Sequence, residues 1–303
     1  MASRTRGGIW GLETGQRSFL VRSFQSAYCA PNSLFYLDFP EFEKLSREMA
    51  VLSPTTRQSK TRDVEKDDDL SFFGSMVLRT KHNDKNRSAR HNLEMEALDV
   101  IALKPLWSRT FPKQAPWVYG SSSIGKIIFF WNAKADGLRD ELTRDAKLQA
   151  LWTKENPGDS DYFVEVLDAR EGTISGGAVV HTGKYSFWPE TLEAAGNWLV
   201  VTDNLSRVLL YSISTGERKA KWFGYHPQLS GNGERLCLTN GRGHLVTYDL
   251  HTLKPVGDLS FASNVAAYAF SQDAKRLLVL TDDQTAFVFD AAAGSSTTAQ
   301  LQD

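Results

Sequence analysis

Cysteine is scarce: the 303 residues hold only Cys29 and Cys237, too few for a disulfide framework or a complete structural zinc site. No apolar run approaches the ~20 residues that span a bilayer, so membrane insertion is not expected. The basic residues of the opening MASRTRGGIWGLETG have no apolar core behind them. No secretory signal is read there, and the expected location is cytoplasmic. An excess of charge of one sign is missing too. Lys plus Arg number 35 against 36 for Asp plus Glu, a formal net charge of −1, which argues against a nucleic-acid partner held by a basic field. What is present is globular in proportion, with 41% hydrophobic and 23% charged residues.

The informative feature is internal repetition. Seven segments share one shape: two or three β-formers, a small or acidic anchor, three further residues and often Gly. The anchors are Gly11, Ser53, Asp99, Asp168, Ser212, Asp249 and Asp290, spaced 42, 46, 69, 44, 37 and 41 residues apart. All but one of these gaps match the ~40–45 residues of a four-stranded propeller blade. A second register supports the first. Leu199-Val200-Val201-Thr202-Asp203, Leu236-Cys237-Leu238-Thr239-Asn240 and Leu278-Val279-Leu280-Thr281-Asp282 superpose, each between polar turns. Short apolar runs bounded by Gly, Asn and Asp read as strands joined by hairpins. Such units bury both faces only by stacking on their neighbours.

At these residues the chain resembles the WD40-repeat β-propellers, in a degenerate, bacterial-looking form. The resemblance rests on residues 9–15 (IWGLETG), 210–216 (LYSISTG), Tyr248-Asp249 and 269–273 (AFSQD), and is clearest over 163–294. Only Trp10 fills the repeat's Trp position, without its Asp, and no Gly-His pair opens a blade. The hydrogen-bond network of eukaryotic members is therefore not expected, and quinoprotein-like propellers are the neighbouring family. The resemblance implies an all-β propeller of six to seven four-stranded blades over 1–303, or the C-terminal part of a longer one. Residues 9–15 read as a third strand without its first two, and 295–303 as a polar tail. Residues 16–24 are a candidate fourth strand for the blade holding 265–290.

The long gap holds an insertion, 134–160. Within it, residues 135–155 contain no Pro and only Gly137, and carry an apolar stripe of Leu138, Leu142, Leu148 and Trp152. This predicts one helix capped by Asp136 and stopped by Asn156-Pro157-Gly158. The stripe is expected on the propeller itself; the alternative is a partner or oligomer contact anchored by Trp152, with Arg139 and Arg144 on its polar flank. Residues 57–69, charged and free of Pro, read as an exposed loop.

Motifs of chemistry fail in their contexts. Residues 120–126 (GSSSIGK) fit a phosphate-binding loop, but a strand-like IIFFW follows where that loop needs a Ser or Thr and a helix. A hairpin turn is the simpler reading. The Ser123-x-x-Lys126 pair lacks the helix and partner motifs of a β-lactamase. None of His82, His91, His181, His226, His244 and His251 forms the i, i+4 pair of a metalloprotease helix. Cys237 aligns with Val200 and Val279 as a buried strand residue. The basic run 81–91 lacks the aromatic residues that stack on bases. No catalytic, cofactor or metal residue is assigned, and no cofactor is expected. The expected function is a non-catalytic scaffold for a protein partner. The alternative is an enzyme or small-molecule binder, a quinoprotein-like dehydrogenase or a hydrolase, with its site at the channel mouth.

Overall fold

The computed structural model describes residues 6–10, 16–22, 26–30, 34–40, 46–53, 56, 58–65, 68–73, 76–82, 90–99, 104–121, 125–183, 187–241, 243–271 and 273–291. The chain divides into two compact units, Met1–Phe111 and Pro112–Asp303.

In the first unit, β1 (Arg6–Trp10) and β2 (Arg17–Arg22) form an antiparallel pair. A four-stranded meander follows: β3 (Ser26–Ala30), β4 (Leu34–Pro40), β5 (Ser46–Ser53) and β6 (Gln58–Glu65). The next comprises β7 (Asp69–Phe73), β8 (Met76–His82), β9 (Leu93–Asp99) and β10 (Lys104–Phe111). Met76, Val77 and Leu78 on β8 and Leu93, Met95 and Ala97 on β9 are buried, so the two central strands carry the described core.

The second unit holds four sheets. Blade A comprises β11 (Trp117–Gly120), β12 (Lys126–Asn132), β13 (Tyr162–Asp168) and β14 (Ile174–Val180), with α1 (Asp136–Leu142) and α2 (Ala146–Glu155) between β12 and β13. Blade B is β15 (Pro189–Ala195), β16 (Trp198–Asp203), β17 (Arg207–Ser212) and β18 (Arg218–Phe223). Blade C is β19 (Tyr225–Leu229), β20 (Arg235–Thr239), β21 (His244–Asp249) and β22 (Lys254–Ser260). Blade D has three described strands, β23 (Val265–Phe270), β24 (Arg276–Thr281) and β25 (Ala286–Asp290). Every sheet is an antiparallel meander in chain order.

The repeat anchors acquire a physical meaning here. Ser53, Asp99, Asp168, Ser212, Asp249 and Asp290 are each the last residue of the third strand of a sheet. At Asp168, Ser212 and Asp249 the anchor's carbonyl accepts the N–H of the residue four further on, Gly172, Gly216 or Leu253. That residue lies in the left-handed region, at φ +68°, +70° and +59° respectively, which is why Gly recurs there. Where the anchor is Asp, its carboxylate also accepts two backbone N–H groups, Arg170 and Glu171 on Asp168, or His251 and Thr252 on Asp249.

In blades A, B and C the second strands are largely apolar on both sides because both faces are covered. On β16, Leu199 and Val201 pack with Ile128, Phe130, Val164 and Val166 of blade A, while Val200 packs with Leu236 and Leu238 of blade C. Cys237 turns the other way, onto Leu277 and Val279 of blade D. Burial pushes its thiol up to about 12, so it behaves as a small hydrophobe.

Four expectations are corrected. Cys237 corresponds to Leu278, not Val279: counted from the anchors, Arg235 pairs with Asp249 as Arg276 pairs with Asp290. Blade D has one more residue before its closing Thr281, and a one-residue slip exchanges the faces of a strand. Residues 58–65 form β6, paired along its length with β5, rather than a loop. As an outer strand it needs no apolar face: the side chains of Gln58, Ser59 and Thr61 are exposed. The insertion holds two helices in place of one. Asp145, extended at φ −139°, breaks the run because its carboxylate accepts the N–H groups of Lys147 and Leu148 and caps α2. Asp136 does not cap α1; its carboxylate accepts the N–H of Gln114 instead.

Candidate interaction surface

The sequence-predicted residues on the insertion lie in different settings. Leu138, Leu142 and Leu148 are buried, and Trp152 packs edge-on against Phe163 at 5.8 Å. The apolar stripe therefore lies on the protein's own blade. Arg139 is exposed, and Arg144 pairs with Glu141 at 3.2 Å. The helix also fits close against two blades. A Cβ on Gly177 of β14 would meet Leu148 Cδ2 at 3.3 Å, and one on Gly216 would meet Leu151 Cδ1 at 2.5 Å.

At the helix's C-terminal end stand Asp161, His181 and Glu155. His181 Nδ1 lies 2.9 Å from Asp161 and Nε2 lies 3.5 Å from Glu155. Asp161 also accepts the N–H groups of Thr182 and Gly158, each at 2.9 Å. Burial raises its pKa, but these bonds and His181 outweigh it and hold the carboxyl below the ordinary 3.8. With both ring nitrogens facing carboxylates, the imidazole braces the return from α2 into β13, where Ala133 N–H donates to Asp161 O at 3.0 Å.

The Gly-rich match at 120–126 runs from the last residue of β11 to the first of β12, which pair antiparallel. Lys126 Nζ donates to Ser175 Oγ at 2.8 Å, and Ser121 bridges to Glu193 and Ala194 of blade B. Ser122, Ser123 and Ile124 lie outside the described residues. So do residues 83–89 of the basic run and 11–15 of the first repeat segment. His251 occupies the turn after β21, and His244 begins β21. Among the described residues no group of three or more His, Cys, Asp or Glu is arranged to hold a metal ion. No helix among them is long and apolar enough to cross a membrane.

What stands out is one end of blade B. Trp188 is 69% exposed, Leu205 46%, Phe223 69% and Tyr225 45%. Trp188, Leu205 and Phe223 lie at one end of blade B, because Pro189 pairs with Asp203 and Arg207 with Phe223, and Tyr225 opens β19 of blade C directly after them. Four strands at ~4.8 Å spacing put Trp188 and Phe223, at the two edges of blade B, roughly 15 Å apart. Only Gly224 separates Phe223 from Tyr225.

The backbone beneath the strip is pinned. Trp188 N–H donates to Asn204 Oδ1 at 3.1 Å, and Asn204 N–H donates back to Trp188 O at 3.0 Å. The fully buried Asp203 carboxylate accepts the N–H groups of Leu205 and Arg207 and pairs with the Arg207 guanidinium. Gly224 N–H donates to Ser206 O at 3.0 Å, tying the β18–β19 junction to the same turn. Tyr268 OH donates to Tyr225 O at 3.2 Å. Along β18, Trp222 packs inward against Tyr248 while Lys221 and Phe223 alternate outward, with Lys221 Nζ 5.0 Å from the Phe223 ring centroid.

Sequence reasoning missed this strip, since the residues belong to no motif. The signal was large apolar side chains at strand junctions, Trp188 before Pro189 and Phe223-Gly224-Tyr225, where turns are ordinarily polar.

No family model matches the sequence, and no curated protein matches it. Solved structures do resemble it. A hydrazine synthase of Kuenenia stuttgartiensis aligns with a TM-score of 0.53 at 12% identity, over 95% of this chain and 90% of that one. Hsv2p of Kluyveromyces lactis gives 0.51 at 9% identity, over 88% of this chain and 74% of that one. At such identities the likeness is one of fold alone. Taken with the succession of antiparallel meanders, it makes this chain an all-β propeller of four-stranded blades.

Proposed function

We propose that the chain is a non-catalytic, WD40-like propeller scaffold, and that the end of blade B docks a protein partner. The observation that carries this reading is the strip of Trp188, Leu205, Phe223 and Tyr225. Isolated exposed apolar residues need no explanation, but three exposed aromatic residues and a leucine set at the ends of neighbouring strands have the composition of an interface core. Trp and Tyr supply most hot-spot energy in such cores. The pinned turns beneath them mean that little backbone ordering is lost on binding. A rim is supplied by Lys221, Asn204 and His226, all exposed.

Photo-crosslinking tests the surface directly. A benzophenone amino acid at Leu205 should join one protein of constant mass in living cells. The same group at Thr252, in the turn at the opposite end of blade C, should not. Equal patterns from both positions would remove the reason for assigning this end.

A further inference from the structure

A concave feature lies between blades C and D, away from the motifs of chemistry. A groove of about 270 Å³ is lined by the end of β22, the β22–β23 connection, the β24–β25 turn and β25. Its wall is aromatic. Phe261 lies 5.2 Å from Phe287 and 5.9 Å from Phe289, and the latter two rings stack at 6.1 Å. Leu259 completes the apolar part, and the lining holds two carboxylates, Asp258 and Asp283, and no Lys or Arg.

The two acids are held differently. Asp258 meets His244 across the β21–β22 ladder. Asp283 accepts hydrogen bonds from Thr281 Oγ1, Ser263 Oγ at 3.0 Å and the Thr285 N–H at 3.2 Å. All three donors are neutral, so they orient the carboxylate without cancelling its charge. They also hold its pKa below the ordinary value, which keeps it ionised at neutral pH. A carboxylate has room for about four hydrogen bonds, which leaves acceptor capacity at the groove.

An apolar aromatic wall beside an oriented negative charge is complementary to one kind of guest: an alkyl chain ending in a cation. At about 270 Å³ the groove falls just below the usual range of ligand pockets, a size for one side chain. We propose that this groove seats a lysine or arginine side chain presented by a protein partner. The stem lies along Phe261, Phe287 and Phe289, and the cationic head meets Asp283 and Asp258. The inference borrows from the scaffold reading only the source of the side chain.

The test uses the full chain and small probes, so its outcome is separate from that of the blade B crosslinking. Nα-acetyl-lysine methylamide is titrated while the backbone amides of Phe261, Ser263 and Thr281 are followed by NMR. Saturable shifts with a dissociation constant in the millimolar range are expected, as befits a single side chain. Added salt should weaken them. The Nζ-acetylated probe, equal in stem and lacking the charge, should bind at least about fivefold more weakly, as should the lysine probe with Asp283→Asn. Should that variant fold poorly, Asp258→Asn serves, and the comparison of the two probes on the unaltered protein needs no variant. Absence of saturable shifts, or equal binding of charged and acetylated probes, overturns the proposal.

Discussion

Single residues in the turns decide how well each blade closes. Gly233 and Ala274 occupy equivalent places, each donating its N–H to a Ser three residues back, Ser230 and Ser271, at φ +73° and +59°. Ala in the left-handed region costs about 1–2 kcal/mol, and Gly returns part of that as chain entropy. Ala274→Gly should therefore stabilise the protein by about 0.5 kcal/mol. Gly233→Ala should destabilise it by about 1–3 kcal/mol, because its Cβ would also meet Ala195 O at 2.8 Å. Urea melts of the two variants check both signs. Asp161 offers a pH test. Its folded-state pKa is depressed, so its contribution is present above the ordinary carboxylate pKa of 3.8 and is lost as the pH falls through the lower folded value. Asp161→Asn should be less stable than the unaltered protein at pH 7, with the gap closing below about pH 4. A gap that stays constant down to pH 2.5 would contradict the bonds from Thr182, Gly158 and His181 that hold this carboxylate ionised. At this scale the sequence was partly legible. The anchors and their glycines could be read because left-handed turns leave a compositional mark, whereas Leu253 and Ala274 in the same conformation leave none.

Among elements, the insertion is the one whose form changed most between sequence and structure, from one helix to two. Its apolar stripe could be read from spacing, and so could its end at Asn156, which lies at φ +45°. The break at Asp145 could not, since an Asp inside a polar helix and an Asp capping a second helix look alike until its extended backbone is seen. Helix α2 is wedged on Gly177 and Gly216, residues of adjacent blades, so it acts as a buttress between them. Deleting 134–160 and joining Ala133 to Asp161, which already meet at 3.0 Å, should produce a markedly less stable protein by exposing Phe163 and β14. Leu148→Ala alone should cost about 2–5 kcal/mol, as large-to-small core changes do. Thermal melts of both variants measure this, and a deletion that leaves the midpoint unmoved would make the helices decoration. Strand β6 shows the converse limit. A charged outer strand and a charged loop share one composition, because neither has to bury a face.

For the molecule as a whole, the repeat period carried the architecture: anchors ~40 residues apart already described four-stranded meanders, and the continuous apolar runs on β16 and β20 marked strands covered on both faces. The proposed surface was not legible, since Trp188, Leu205 and Phe223 reach one end only when the four strands of blade B are aligned, with Tyr225 following at the start of β19. The Gly-rich match at 120–126, read as a hairpin turn, joins the paired strands β11 and β12, with Lys126 bound to Ser175, and His181 is set between two carboxylates. The central claim is thus that blade B's end holds a protein partner through its aromatic strip. The most direct measurement is the dissociation constant of the protein crosslinked at Leu205, compared between the unaltered chain and Trp188→Ser/Phe223→Ser. Both substitutions are at exposed side chains, so the melting midpoint should hold while affinity falls at least about 100-fold, the loss of two hot-spot aromatics. Unchanged affinity with an unchanged melt would contradict the account.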